Sequence, residues 1–386
     1  MADTIEIRPV SGKAEQKKFA LFPWKIYRGK DSYYEKWVPP LVMDEKHAVD
    51  RSRDPFYKHA EVEFYLAYRG DEIVGRIAAI IDFNYIDYHK EKVGYFGFFE
   101  AVNDHNVAGA LIDTAAEYLR GRGMAKMFGP VNLSPNYTLG VLVNNFEVPP
   151  VIKMGWNAPY YPALMDGQNL AKEVDLYSYI MTTELPLSDK IKRVQEIARK
   201  RHGFEVRAVS KKTLFEAIDQ VREIWNAAWA DNWGFVPWTK EEFAYLAEDL
   251  KLVLMPELTF IAYIDEKPVA FAMPIPDFNQ IFIKMNGRLF PTGLFKLLAG
   301  RKKVDMLRVA ALGVMPEHQN KGIDAAFVYE LYTRGDAMGI KGAEFSWILE
   351  QNYPLRNFLE HWGAEHYKTH RIYSRDLTST GVEVTS

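Results

Sequence analysis

The sequence predicts a protein of the α/β class, with α+β character, built from two similar domains in tandem. Each domain is expected to be a mixed, mostly antiparallel sheet flanked by helices. The chain has 386 residues, which is more than a single hydrophobic core usually holds. A pattern of residues also recurs between its two halves. Finally, each half contains a pair of predicted strands followed by alternating helices and strands, which is typical of such a sheet.

The repeat keeps its internal spacing. The first half holds an Ala-Tyr pair, a Val and an Asp-Phe-Asn triplet, at Ala67-Tyr68, Val74 and Asp82-Phe83-Asn84. With an offset of 195, the second half holds the same residues at Ala262-Tyr263, Val269 and Asp277-Phe278-Asn279. A Gly, a Tyr and a Ser recur with an offset of 196, at Gly167, Tyr177 and Ser178 and at Gly363, Tyr373 and Ser374. Chance is a poor explanation for both matches, so we expect the halves to share one fold.

The predicted elements follow in the same order in each half. Residues 63–81 and 258–275 each indicate a β-hairpin, because β-branched and aromatic residues flank a polar turn. A strand and an amphipathic helix come next, and a further strand, helix and strand complete each copy. We place the domain boundary near Leu185–Asp189, which gives domains 1–185 and 186–386, the second opening with two additional helices.

The composition narrows the class of protein. The net charge of -3 gives no electrostatic footprint for nucleic acid, and the absence of cysteine excludes disulfides and thiol nucleophiles. The N-terminus lacks the pattern of a signal peptide and no long apolar run occurs, so we expect a cytoplasmic protein, and we expect no metal. The aromatic content of 14% is compatible with aromatic-rich cores or with a deep apolar pocket.

The segment Ala310–Ala326 carries the most chemical information. It is predicted to be a strand that runs through a turn into the N-terminus of a helix. Free backbone N–H groups and the helix dipole at such a terminus attract anions, a pyrophosphate among them. Gly322 would let the backbone approach a phosphate without an intervening side chain.

Within this segment the chain resembles the GNAT acyltransferase superfamily. The family signature is Gln or Arg, two residues, Gly, one residue, and Gly or Ala, and this chain has Gln319-Asn320-Lys321-Gly322-Ile323-Asp324. The last position differs, since it holds Asp324 instead of Gly or Ala. In the family a phosphate of coenzyme A would lie there, so Asp324 places a carboxylate beside it. A second signature, an Asn followed eleven residues later by a Gly, matches Asn352 and Gly363, while Leu359 stands where many members have a proton-donating Tyr.

The resemblance implies a donor, a donor site and a mechanism. The donor would be acyl-CoA, with an acetyl or longer chain, or the thioester of an acyl carrier protein. The implied donor-binding residues are Leu312, Gly313, Val314, Gln319, Asn320, Lys321, Gly322, Ile323, Asp324 and Asn352. An amine would attack the thioester carbonyl while a backbone N–H near Gly313 or Val314 stabilises the oxyanion. The candidates for removing the proton are Glu350, His318 and Tyr353.

The acceptor site is less well marked. The first copy lacks the signature, so we interpret it as a degenerate domain with an acceptor-binding or structural role. Its long segment 129–168 is interpreted as a wall of the acceptor pocket, contributed by Asn136, Tyr137, Asn157 and Tyr160, with loop packing as the alternative. Trp229 and Trp233 are expected to cover the acceptor channel, with core packing as the alternative.

A further segment, Arg288–Lys303, combines apolar residues with basic edges. Such a pattern suits the surface of an anionic membrane, and the alternative is a helical insertion packed on its domain. Together with the aromatic content, it favours a small-molecule or lipid-like amine as acceptor.

Tandem GNAT domains with one donor site resemble Fem-type aminoacyltransferases, protein N-myristoyltransferases and less studied bacterial acyltransferases. Our leading hypothesis is N-acylation of an amine by an acyl thioester, in the manner of a ceramide-synthase-like enzyme. A Fem-type aminoacyltransferase is a second hypothesis. The third is a non-catalytic ligand-binding or scaffold protein, motivated by Asp324 and Leu359.

Overall fold

The computed structural model describes residues 4–28, 32–184, 187–210, 214–250 and 253–378, which fall into two units. The first unit contains the described residues of Met1–Leu176, Met285–Thr292 and Thr369–Ser386. The second contains those of Tyr177–Lys284 and Gly293–Lys368. The predicted boundary at Leu185 and Pro186 lies outside the described residues. The units themselves divide earlier, between Leu176 and Tyr177.

The first unit consists of a sheet and its flanking helices. Its strands are β1 Ile5–Pro9, β2 Ala60–Arg69, β3 Glu72–Asp82, β4 Val93–Ala101, β5 Lys126–Gly129 and β6 Val141–Leu142. Its helices are α1 Gly12–Tyr27, α2 Val42–Ala48, α3 Phe83–His89, α4 His105–Gly121 and α5 Tyr161–Asp166. Strand β7, Ala171–Thr182, begins in this unit and ends in the second.

The second unit repeats this plan. Its helices are α6 Asp189–His202, α7 Leu214–Ala228, α8 Lys240–Leu250, α9 Asn279–Phe282, α10 Gly293–Gly300, α11 Ile323–Ala337 and α12 Tyr353–His361. Its strands are β8 Glu205–Ala208, β9 Phe260–Ile264, β10 Lys267–Pro276, β11 Met306–Val314 and β12 Gly342–Leu349. Strand β13, Glu365–Asp376, begins in this unit and ends in the first.

The strand pairings confirm the predicted mixed, mostly antiparallel sheets. In the first unit β1, β2, β3 and β4 pair in antiparallel order, and β4 then pairs with β5 in parallel. In the second unit β8, β9, β10 and β11 pair in antiparallel order, and β11 then pairs with β12 in parallel. Both predicted hairpins are present, as β2–β3 and β9–β10.

The repeated residues perform the same local task in both copies. Asp82 accepts a hydrogen bond from the backbone N of Asn84 at 3.0 Å, and Asp277 accepts one from the N of Asn279 at 3.2 Å. Each aspartate thereby satisfies a free N–H of the helix that follows the hairpin. The Asp-Phe-Asn repeat is therefore explained by a conserved turn from strand to helix within this chain.

The last strands of the two copies are exchanged between the units. The end of β13, Tyr373–Asp376, pairs in the first unit with β5. The end of β7 belongs to the second unit, where β7 is the neighbour of β12. The two compact units are therefore not contiguous stretches of sequence, because β7 and β13 each have residues in both units.

Each unit has a core between its sheet and its helices. In the first, α4 buries Leu111, Ala115 and Leu119 against β3 and β4. In the second, Phe327 and Val328 of α11 pack with residues of β10, β11 and β12. None of the described helices combines the length and the apolar character needed to cross a membrane.

Candidate active site

The second unit contains a gap between two parallel strands. Pairing of β11 with β12 ends at Val309 and Phe345, although both strands continue beyond that point. On its other edge β11 remains paired with β10, and Ala310 is bypassed as the register shifts. The edge of β11 that faces away from β10 is therefore free of β12 from Ala310 onward.

Two backbone N–H groups of β11 point toward this gap. Met315 donates its N–H to Val269 of β10 at 2.9 Å. Because successive N–H groups of a strand point to opposite edges, those of Val314 and Leu312 point away from β10. The N–H of Gly313 points toward β10. Of the two predicted oxyanion donors, Gly313 and Val314, only Val314 therefore points its N–H into the gap. Leu312, which was not predicted as a donor, also points its N–H into the gap.

The gap leads to the N-terminus of α11. Gly322 is the N-cap residue, with a positive φ of 72° and no side chain to cap the helix. This conformation favours glycine, which explains the residue at this position. The preceding loop turns back onto β11, where Gln319 Nε2 donates to the carbonyl of Val314 at 3.4 Å.

Asp324 turns inward at this helix terminus. Its Oδ1 accepts a hydrogen bond from the backbone N–H of Ala325 at 2.9 Å. That N–H is one of the free donors of the helix terminus, so it is no longer available to a bound anion. Burial raises the pKa of Asp324, although its backbone hydrogen bonds oppose the shift. The helix terminus therefore carries its own carboxyl group, which competes with a bound anion whenever it is ionised.

The face of the sheet opposite α11 carries an aromatic cluster, Trp225, Trp229 and Phe271. The Trp225 and Trp229 rings stack with centroids 4.9 Å apart, and the Phe271 ring lies 5.8 Å from Trp229. A Cβ atom on Gly313 would lie 2.8 Å from Cη2 of Trp229, so the indole lies directly against the strand. The structure thus brings Trp229 and Gly313, two predicted site residues, together.

The same face carries a buried polar cluster that the sequence analysis missed. Glu344 lies opposite Arg308 in the last pairs before the gap, and the two side chains are 1% and 5% exposed. Tyr367 donates its hydroxyl to Glu344 Oε2, while Glu344 Oε1 accepts no hydrogen bond from the described part of the chain. Lys368 is also buried.

This cluster is held rigidly at the start of the gap. Arg308 donates from Nε to Ser346 Oγ at 3.1 Å and from Nη2 to the Ser346 carbonyl at 3.2 Å. Burial lowers the pKa of Arg308 to about 10 and that of Lys368 to about 8, with Glu344 opposing both shifts. A carboxylate with one unsatisfied oxygen beside a strand gap can accept a proton from a bound group.

The three predicted proton acceptors lie on the segments that follow β11 and β12. His318 is on the loop between β11 and α11, with Nδ1 2.9 Å from Lys321 Nζ, and burial and the Lys321 charge lower its pKa. Tyr353 starts α12 and is 61% exposed. Glu350 follows β12, and its carbonyl accepts a hydrogen bond from Arg356.

Two other residues of the family signatures have structural roles. The side chain of Asn352 accepts the N–H of Leu355 at 3.3 Å, which caps α12. Leu359 is completely buried in the core of the second unit. Its apolar side chain has no proton to donate and serves to pack the core.

The corresponding gap of the first unit is filled by the chain itself. Pairing of β4 with β5 ends at Tyr95 and Phe128. Beyond it, Val131 donates its N–H to the Phe96 carbonyl at 2.8 Å, and Asn132 Oδ1 accepts the N–H of Phe98 at 2.7 Å. No comparable gap is left between these strands.

The residues predicted in the first unit as acceptor wall bond mainly to their own unit. Asn157 is buried and uses its amide on the backbone of Leu142, accepting at 2.7 Å and donating at 3.1 Å. These two hydrogen bonds hold β6 in place, as loop packing would require. Tyr160 donates to the Ala101 carbonyl at 2.9 Å, and Tyr137 donates to Asp54 at 3.0 Å.

The remaining two residues of the predicted acceptor site are Asn136 and Trp233. The backbone N of Asn136 donates to Ser134 Oγ at 3.1 Å, and Asn136 and Trp233 are both partly exposed. No group of three or more His, Asp and Glu side chains suited to a metal occurs within the described ranges. A sequence signal for Glu344 did exist, since a charged residue stands alone in the apolar strand GAEFSWIL.

Comparisons with known proteins identify relatives of the whole chain. The family model "Acetyltransferase (GNAT) family" matches residues 218–364. The chain is 32% identical over 379 residues to Protein YghO of Escherichia coli (strain K12), covering 96% of this chain and 95% of that protein. It is 33% identical over 386 residues to the bacterial ceramide synthase of Caulobacter vibrioides (strain NA1000 / CB15N), covering 97% and 98%.

A solved structure supports the fold independently. The tandem GNAT protein from the clavulanic acid biosynthesis pathway superposes with a TM-score of 0.54 at 10% sequence identity. The superposition covers 98% of this chain and 100% of that chain. At this identity the likeness concerns the fold alone.

Proposed function

Because the chain belongs to the GNAT family of acyltransferases, we propose that it transfers an acyl group from a phosphopantetheine thioester to the amino group of a lipid-like acceptor. The observation that carries the proposal is the gap between β11 and β12. The gap connects an anion-binding helix terminus with an aromatic and acidic cluster on the opposite face of the sheet. The relationship to a protein named bacterial ceramide synthase favours a long-chain amine as acceptor.

The donor is proposed to lie along the free edge of β11. Its phosphate would bind at the N-terminus of α11, where the N-cap residue Gly322 has no side chain of its own. The N–H and carbonyl of Val314 would pair with the amide of the pantetheine arm, and the N–H of Leu312 would stabilise the oxyanion. The backbone groups of Leu312 and Val314 suit the neutral amides and the thioester of a pantetheine arm. The carboxylate of Asp324 disfavours a highly charged phosphate at the helix terminus.

The donor could be acyl-CoA or an acyl carrier protein, since both present the same phosphopantetheine thioester. Coenzyme A brings a pyrophosphate and a further phosphate, whereas a carrier protein brings one phosphodiester. The carboxylate of Asp324 at the helix terminus penalises the more charged donor. Parallel assays with the two donors distinguish them directly.

In the proposed reaction the amine nitrogen forms a bond to the acyl carbon as the carbon–sulfur bond breaks. Glu344 takes the proton that the nitrogen loses, through Oε1, and the sulfur leaves as a thiolate that is protonated by solvent. Trp225, Trp229 and Phe271 would hold the apolar part of the acceptor, since aromatic side chains bind long chains without demanding hydrogen bonds. A buried carboxylate beside an apolar wall suits an amine that must react in its neutral form.

The test is a thiol-release assay, for which the absence of cysteine removes any background from the enzyme. Acyl-CoA and acyl carrier protein with short and long chains are offered with a long-chain amino alcohol, and the amide product is identified by mass spectrometry. We expect an amide from at least one donor. If well-folded protein forms no amide with any pair, the proposed function is wrong.

Glu344→Gln tests the base separately. The change keeps the shape of the side chain and its contact with Tyr367, but it removes a negative charge beside the buried Arg308 and Lys368, so the Tm is measured together with kcat. From the folded variant we expect a fall in kcat of about 100-fold or more. Glu365→Gln, on the exposed start of β13, is the matched control and should leave kcat unchanged. Full activity of Glu344→Gln would assign proton removal to another group while leaving the transfer reaction intact.

A further inference from the structure

The short helix α10 presents two large apolar side chains to solvent. Phe295 is 74% exposed and Leu298 is 63% exposed. They are three residues apart, which places them side by side on one face of the helix. Its other side is packed, since Gly293 is buried and a Cβ on Gly300 would lie 2.8 Å from Ile281. The helix is thus anchored on the second unit with an apolar face left uncovered by that unit.

Cations surround this face. Lys284, Lys296, Arg301, Lys302 and Lys303 of the second unit are all exposed. Lys296 Nζ donates to the carbonyl of Lys284 at 2.8 Å, which joins the helix to the preceding segment. We call Phe295, Leu298 and these five cations the α10 patch.

Carboxylates are excluded from the segment that carries the patch. Between Asp277 and Asp305 there are six Lys or Arg and no Asp or Glu. The whole chain has 51 Asp and Glu in 386 residues, so a stretch of this length would contain about three or four on average. Asp305, the first carboxylate after it, is paired with Lys341 at 3.0 Å. The net positive charge is therefore a local property of a chain whose total charge is -3.

We propose that the α10 patch binds the surface of an anionic lipid bilayer. Phe and Leu side chains enter the boundary between headgroups and acyl chains, and Lys and Arg remain at the level of the phosphates. Lipid phosphates supply the charge that the patch lacks, whereas a second copy of the chain, with a total charge of -3, offers much weaker complementarity. The inference is independent of the acyl transfer proposed above, since it concerns adsorption alone.

The first unit contributes a related observation. Phe290 is 70% exposed and lies in the same carboxylate-free segment. A soluble protein exposes scattered apolar residues routinely, but exposed aromatic residues in a stretch of sequence that is rich in cations and free of carboxylates are the composition of an interfacial anchor.

The test is co-sedimentation of the full-length protein with vesicles of phosphatidylcholine alone and of phosphatidylcholine mixed with phosphatidylglycerol. We expect binding to the anionic vesicles, little binding to the neutral ones, and loss of binding at about 1 M salt, where the Debye length falls to about 3 Å. Binding to neither vesicle, or equal binding to both, overturns the proposal.

Two double variants locate the binding. Lys302→Gln with Lys303→Gln should weaken partitioning roughly 30-fold, because each cation near an anionic surface contributes about 1 kcal/mol. Phe295→Ser with Leu298→Ser should also reduce binding, and neither variant should lower the Tm since all four side chains are exposed.

Matched controls lie on the first unit. Lys17→Gln with Lys18→Gln removes the same charge from exposed positions of α1, and Met43→Ser removes an apolar side chain that is 53% exposed. These variants should bind like the native protein. Equal losses in controls and patch variants would show diffuse attraction and overturn the assignment to α10, as would a dimer in light scattering that disappears with Phe295→Ser and Leu298→Ser.

Discussion

Adding a single methyl group at Gly313 is expected to disrupt the site. The new Cβ would lie 2.8 Å from Cη2 of Trp229, closer still to its Cζ3, and 2.9 Å from Cε1 of Phe271. Ordinary contact begins near 3.4 Å, so the indole, whose Cζ3 is the nearest atom, must withdraw by about 1 Å. Trp229 is stacked on Trp225 and bounded by Phe271, which leaves the ring little freedom to move.

Overpacking of this kind costs about 1–3 kcal/mol. For a unit of this size each kcal/mol lowers the Tm by roughly 2–4 °C, so Gly313→Ala should unfold about 2–12 °C below the native protein. If Trp229 borders the acceptor, a displacement approaching 1 Å should also lower kcat/KM by up to about 100-fold. Differential scanning fluorimetry and the thiol-release assay measure the two effects.

Two further variants isolate the cause. Gly121→Ala, where a Cβ meets open space and φ is not positive, should leave the Tm unchanged or slightly higher. Combining Gly313→Ala with Trp229→Phe removes the larger ring and should cost less than the sum of the two single changes. A Tm and kcat/KM for Gly313→Ala equal to those of the native protein would refute the contact between Gly313 and Trp229.

Asp324→Ala should tighten the binding of coenzyme A, because it removes a carboxylate from the proposed phosphate site. Burial raises the pKa of Asp324. As the pH falls through that raised pKa, the carboxylate is protonated and no longer repels the phosphates of coenzyme A. The Kd of the native protein for coenzyme A should therefore decrease toward that of Asp324→Ala. Calorimetry at several pH values checks this, and identical Kd values at every pH would contradict it. Asn157→Leu should lower the free energy of unfolding in urea by about 1–3 kcal/mol, because the buried N–H of Leu142 loses its partner; a smaller loss would show that β6 is held by other contacts.

The sequence alone determined the local elements and their order. The hairpins β2–β3 and β9–β10 follow from runs of strand-forming residues around short polar turns, and the helix α11 was expected directly after the turn at Gly322. These signals are local, since they depend on residues within a few positions of one another. The repeat added that the two halves fold alike, and the family signature indicated where a donor would bind.

Only the tertiary structure decided which distant segments meet. The exchange of the ends of β7 and β13 between the units depends on pairing between strands that are far apart in sequence, which local patterns do not specify. Glu344 and Lys368 are far apart in sequence, and their burial together depends on the register of central strands. The inward turn of Asp324 onto its own helix is a choice of rotamer. Strand pairing, side-chain burial and the choice of rotamer depend on contacts between residues that are distant in sequence. Local sequence patterns therefore do not predict them.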